Sequence, residues 1–199
     1  MTNEGYSHQF SSWAKERIDE IEATLASIET RAATLQDEAK RQAEQAIAQI
    51  NVQRDAFLEA VRKQQHEGEA AWTAAKADLA PAWASFEATV QGYMSDVVQQ
   101  AEQQTATFKA RADAQREAWQ QASEALLGKT VAFAEAKKKD VEAAMVQLKT
   151  EAEAARLRLE AQQKAGADSW SVMKSALEES RSAFDSAIQK ALDAFKKAS

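Results

Sequence analysis

The sequence predicts an all-α protein. Its expected form is an elongated antiparallel coiled coil, or long helical bundle, of three helices (four if Gly128 also turns) built from two tandem copies of one unit. Three observations lead there. Helix breakers are scarce, with 5 Gly and 1 Pro in 199 residues. Ala, Gln, Glu, Lys and Leu dominate, and these lose little side-chain freedom in a helix, whereas β-branched residues are scattered singly and form no strand-like run. The chain also matches itself at an offset of 98 positions, the separation of Gly68 and Gly166.

The match is densest where Gln64-Gln65, Gly68, Trp72, Lys76, Leu79 and Phe86 recur as Gln162-Gln163, Gly166, Trp170, Lys174, Leu177 and Phe184. It extends outward, with Phe10 against Phe108, Ile21 against Trp119, Val61 against Leu159 and Val97 against Phe195. A common heptad register would align apolar with apolar, but it does not explain the shared Gly, Trp, Lys and Gln-Gln. Both copies also carry successive four-residue steps, at Ala39-Ala43-Ile47 and at Phe133-Lys137-Val141-Met145, the mark of a stutter that unwinds a supercoil. The expected organisation is a flexible N-terminus over 1–9, unit 1 over 10–98, a helical join over 99–107 and unit 2 over 108–199.

The first helix is expected from about residue 10, capped by Ser11 or Ser12, and to run unbroken to His66, about 80 Å at 1.5 Å per residue. Gly68 can take the left-handed conformation that ends a helix. A second helix starts near Glu69 with the seam Trp72, Lys76, Leu79, Trp83, Phe86, Val90, Tyr93 and Val97, alternating steps of four and three. Pro81 lies inside this seam and is expected to kink the helix or to start a new one after Leu79-Ala80. No turn signal follows Val97, so the preferred reading makes residues 69–165 one central helix of about 145 Å. Gly128 aligns with Thr30, which favours a mid-helix position; Gly166 aligns with Gly68, which favours turns at both. Helices over 10–66 and 168–198 then flank the central one. The thin, Ala-rich seam suggests that dimerisation, or another homo-oligomer, completes the core.

Composition narrows the function. The net charge is −6, from 25 Lys and Arg against 31 acids; a nucleic-acid partner would call for a net basic face, so none is expected. There is no Cys, hence no disulfide and no thiolate ligand. Met1–Tyr6 lacks the basic start and apolar stretch of a secretory signal, and no segment approaches a membrane span; a cytoplasmic location is expected.

The inventory of chemical sites is empty. His8 and His66 are the only histidines, and neither forms a Glu-x-x-His or His-Glu-x-x-His metal motif. No Gly-rich phosphate loop follows a strand, and no Ser has a His base. No catalytic residue, metal or cofactor is therefore expected, and the chain is read as non-enzymatic.

Trp13, Trp72, Trp83, Trp119 and Trp170 are expected mostly to plug the core. Leu79, Phe86, Leu177 and Phe184, with Gly68, Trp72, Gly166 and Trp170, form the repeated structural joints. Trp83, whose counterpart is Arg181, is least constrained by the repeat. With Pro81 and Tyr93 it forms the candidate surface for a protein partner, or for a lipid or granule surface. The differences between the copies, Pro81 and Trp83 against Glu179 and Arg181, mark where function is expected.

The closing segment, Ser175-Ala176-Leu177-Glu178-Glu179-Ser180-Arg181-Ser182-Ala183-Phe184-Asp185, resembles uncharacterised bacterial coiled-coil proteins. In being Ala- and Gln-rich, Cys-free and nearly Pro-free, the chain also resembles phasins, the helical proteins that coat polyester granules. The first resemblance implies a structural or scaffolding role through self-association. The second implies an amphipathic coat for a lipid or granule surface. Neither implies a ligand residue.

Overall fold

Helix-favouring composition produces helix throughout the described part of the chain. The computed structural model describes residues 3–64, 69–96, 101–130, 135–165 and 170–198. Among them there are six helices and no strand: α1 (Asn3–Ala32), α2 (Asp37–Gln64), α3 (Glu69–Asp96), α4 (Ala101–Thr130), α5 (Glu135–Ala165) and α6 (Trp170–Ala198). The all-helical expectation holds, but the helices are about 45 Å long and more numerous than expected.

The expected first helix is broken between Ala32 and Asp37. No Gly or Pro marks the break. Instead the α1 end tightens, with Thr34 N donating to Arg31 O at 2.9 Å and Leu35 N to Ala32 O at 3.2 Å. The Thr34 hydroxyl donates to the same Arg31 carbonyl at 2.8 Å, satisfying acceptors that a helix end leaves open. Asp37 restarts the chain with φ of 49°, a conformation that Asp tolerates better than most residues, and places acid at the positive end of α2. The two four-residue steps after Ala39 therefore belong to a new helix, not to a stutter in a continuous one.

The long central helix is also absent. α3 ends at Asp96 and α4 begins at Ala101. Gln104 Nε2 donates to Met94 O at 3.0 Å, whereas a continuous helix would separate these residues by about 15 Å. The chain therefore reverses between them. Of the expected join over 99–107, residues 101–107 are the first turns of α4, and 99 and 100 lie outside the described residues. Gly128 is inside α4, as its alignment with Thr30 suggested, while α5 starts only at Glu135. α1 begins at Asn3, ahead of the expected start. Gly68 and Gly166 lie outside the described residues, as does the Trp72 side chain. Pro81 sits within α3 rather than at the start of a helix, on an exposed face where water can meet the carbonyl it leaves free.

Packing groups α1, α2 and α3 on one side and α4, α5 and α6 on the other, with α1 and α4 joining the two groups. Contacts of Glu20 with Arg111 and of Ser27 with Thr107 run in opposite chain directions, so α1 and α4 are antiparallel. One apolar cluster centres on Ile21, Ile28, Ile50, Phe57, Leu79 and Phe86, and continues into Phe108, Trp170 and Leu177. A second holds Trp119, Val141, Met145, Leu148, Phe184 and Ile188. Trp13 stacks on Phe57 at 6.2 Å and Trp119 meets Phe184 edge-on at 5.0 Å.

Phe86→Ala is expected to lower the unfolding free energy by about 3–5 kcal/mol in urea titrations, because the ring is fully buried. Gly92→Ala should do the opposite. A Cβ there meets nothing within 4 Å, and the gain in helix propensity is up to about 1 kcal/mol, read as a higher thermal midpoint.

Candidate functional site: a buried charged joint

Charged side chains belong in water unless paired, yet where the two groups of helices meet the core is charged. Glu16, Glu20 and Arg111 are 0 % exposed, and Arg17, Glu87 and Arg181 are nearly so. α1 supplies Glu16, Arg17 and Glu20, α3 supplies Glu87, α4 supplies Arg111 and Gln115, and α6 supplies Arg181 and Asp185.

Glu20 is the centre. Arg181 grips it with Nε on Oε1 and Nη2 on Oε2, both at 2.9 Å. Arg111 Nε donates to Oε2 at 2.9 Å, and Gln115 Nε2 donates to Oε1 at 2.8 Å. Gln115 Nε2 also reaches the Leu177 carbonyl at 3.1 Å, tying α4 to α6. Glu87 accepts from Arg111 and, at 3.5 Å, from Arg181. At the flank, Arg17 holds Asp185 through two nitrogens, at 2.8 and 3.3 Å. Its Nη1 also donates to Glu16 Oε2 at 3.0 Å.

Aromatic faces cover the guanidiniums. Arg17 lies 4.1 Å from the Trp13 ring centroid, Arg181 4.4 Å from Trp83, and Arg111 5.4 Å from Phe86. Such contacts strengthen in a desolvated setting. Further along α1 and α4 a neutral polar layer continues the joint: Gln103 Nε2 donates to Thr107 Oγ1 at 2.9 Å, and Ser27 and Thr107 hydroxyls meet at 3.0 Å.

The 98-position offset does not reproduce the joint in each half. It aligns Trp13 with Arg111, Arg17 with Gln115, Glu20 with Ala118, Trp83 with Arg181, and Glu87 with Asp185. Only the last pair keeps its chemistry. Trp83 and Arg181, singled out as a difference between the copies, are stacked together. Trp83 is half-buried and also packs on Phe86 at 5.0 Å. Tyr93 is buried, with burial pushing its phenol above the ordinary range; Pro81 is exposed. The three proposed surface residues thus do not form one exposed patch. Of the repeated joints, Leu79, Phe86, Trp170, Leu177 and Phe184 are all buried.

Glu16, Arg17, Glu20, Glu87, Arg111, Gln115 and Asp185 were not singled out by sequence. A signal was present. Glu20, Thr24, Ser27 and Arg31, and likewise Thr107, Arg111, Gln115 and Ala118, repeat at steps of four and three, the spacing of a buried stripe.

Burial works to raise the Glu20 carboxyl, but Arg181 and Arg111 outweigh it and hold it well below the usual carboxylate range. Glu16 goes the other way: burial, then the neighbouring Glu20 charge, push it well above that range against the pull of Arg17 and Arg181. Arg17, Arg111 and Arg181 are balanced by Glu20, Glu87 and Asp185, so Glu16 is a surplus acid in the interior. Half-buried Lys76 stands at the edge, held below its ordinary range by burial although Asp185 favours its charge.

Among the described residues no cluster of His, Cys, Asp and Glu forms a metal-binding group, and no helix is long and apolar enough to cross a membrane. Comparison with protein-family models, with curated proteins and with solved structures found no match.

Arg111→Met should destabilise the protein by about 3–5 kcal/mol, since it strands Glu20 and Glu87 beside one remaining guanidinium. Replacing Glu20, Glu87, Arg111 and Arg181 together with apolar residues should recover most of that loss in the same denaturant titrations.

The two carboxyls predict a pH dependence. Stability from Glu20 is present above the unfolded carboxylate pKa and is lost as pH falls towards its lowered folded value. Glu16, with a raised folded value, contributes fully below the unfolded pKa and loses that contribution as pH rises. Glu16→Gln keeps a donor for Glu20 without a titrating proton. It should flatten the fall in stability as pH rises above the unfolded carboxylate range and raise stability at the upper end; thermal melts across pH check this.

Proposed function

We propose that the protein is a non-enzymatic helical scaffold, built from two tandem copies of one three-helix unit and acting through self-association and protein–protein contacts. The observation that carries this reading is the closure of the charged joint. Among the described residues a set of six ionisable groups lies buried in the interior, hydrogen-bonded to itself, with its electrostatics spent on holding helices together rather than on a substrate. The duplication is supported by burial at matching positions: Leu79 and Leu177, and Phe86 and Phe184, are buried in both groups, at the same offset that relates Gly68 to Gly166.

Self-association has a plausible surface on α5. Val146 and Leu157 are 64 % and 51 % exposed and lie about three helical turns apart, on one face. In this reading the cytoplasmic protein forms a homodimer through that face.

A second reading, a coat for a lipid or granule surface, rests on the polarity of the joint. Water can replace ion-pair and hydroxyl contacts more readily than it can wet an apolar core. The two halves would therefore part there and turn their apolar faces outward. The acidic net charge directs such a coat to uncharged surfaces.

Light scattering coupled to gel filtration should give a concentration-dependent dimer that Val146→Ser with Leu157→Ser converts to monomer; a monomer at all concentrations sinks the self-associating scaffold. Flotation with uncharged oil droplets tests the coat. Absence of co-flotation together with unchanged tryptophan emission removes it.

A further inference from the structure

The second three-helix group has an opening between its helices. A cleft of about 410 Å³ lies between α4 and α5, with Ser180 of α6 also in its lining. Trp119, Ala152, Ala155 and Leu159 make its walls largely apolar. The 98-position offset shows why it is open: Ala155 stands where the first group has Phe57, and Ser123 where it has Leu25. Phe57 and Leu25 are both buried and fill the first core.

What the small residues leave behind is polar and unsatisfied. The Trp119 indole nitrogen and the Ser180 hydroxyl are buried without a hydrogen-bond partner, and both residues line the cleft. An indole N–H can only donate. Buried donors are nearly always met by some acceptor, so an acceptor from outside the chain fits this place. Charges of both signs surround the opening, Glu124 among them. Arg116 is engaged by Asp113, and Arg156 by Glu153 and Glu160, whereas Lys149 forms no ion pair with the described residues. The cleft thus combines an apolar wall, buried donors and a lysine without an acidic partner among the described residues. Ligand sites of this size have that make-up: mostly apolar, with a few polar groups that fix orientation.

We infer that this cleft binds a monocarboxylate with a hydrocarbon tail of medium length. The tail lies along Ala152, Ala155 and Leu159. The carboxylate accepts from the unsatisfied donors and faces Lys149. The cleft belongs to α4, α5 and α6 alone, so binding there stands or falls independently of the scaffold reading.

The test uses the full chain labelled with ¹⁵N and the probe decanoate, kept below its micelle concentration. The five indole N–H signals are followed, and Trp119 is assigned with Trp119→Phe. The expected result is a saturable downfield shift of the Trp119 signal. Ala155→Phe, which restores the filling seen in the first group, should abolish it while circular dichroism stays helical. Ser123→Leu occludes the cleft from the other wall and serves if Ala155→Phe does not fold. Lys149→Gln should weaken decanoate several-fold and leave decanol unaffected. No Trp119 shift with decanoate, a shift that survives occlusion of the cleft, or equal binding of decanol and decanoate would each overturn the inference.

Discussion

Glu20 must be an anion in a place without water, and much of the tertiary arrangement follows from that requirement. Its carboxylate is reached by Arg111 and Gln115 from α4 and by Arg181 from α6. Those groups arrive only if α1 and α4 pair antiparallel with α6 alongside. Burying ion pairs adds little net stability, because the desolvation cost offsets the attraction, but breaking one partner is severe. The joint therefore acts chiefly on choice of partner. Two first groups brought together would bury Glu16, Glu20 and Glu87 without Arg111 and Arg181, and two second groups would bury the arginines without those acids. Only the unlike pairing brings those acids and arginines together.

The same asymmetry runs through the two halves. Positions related by the 98-residue offset share much of their apolar seam but differ at most of the charged joint. Trp83 in one half covers the Arg181 guanidinium from the other, and Phe86 likewise covers Arg111. Where the first half buries Phe57 and Leu25 the second has Ala155 and Ser123, and a cleft results. One group is filled at these positions and the other is open there.

The helix class was legible because it depends on local terms that add along the chain: scarce breakers, good helix formers and an apolar period. The helix ends were less so. The break after Ala32 contains no Gly or Pro, and is made by Thr34 and Leu35 bonding back to α1 and by Asp37 at positive φ. Nothing in Ala33-Thr34-Leu35-Gln36 forbids helix, so local propensity alone could not place it. The reversal between Met94 and Gln104 was missed for the same reason: polar, helix-compatible residues also suit a turn when packing rewards one. Buried Leu79, Phe86, Leu177 and Phe184 were foreseen from their spacing, whereas Glu20 and Arg111 were not, since a charged residue on a helix is usually solvated. Their burial becomes favourable only once the partner helix is present.

By itself, the sequence determined that this is a helical protein with a doubled apolar seam, few chemical residues and no metal motif, because composition and period act within one helix at a time. Only the tertiary structure decided that the described residues fold into six helices, that Trp83 stacks on Arg181, and that the interior carries a charged joint. Those outcomes depend on pairing groups far apart in sequence, as Glu20 and Arg181 are. Whether a carboxylate is costly or stable in the core is set by what stands opposite it.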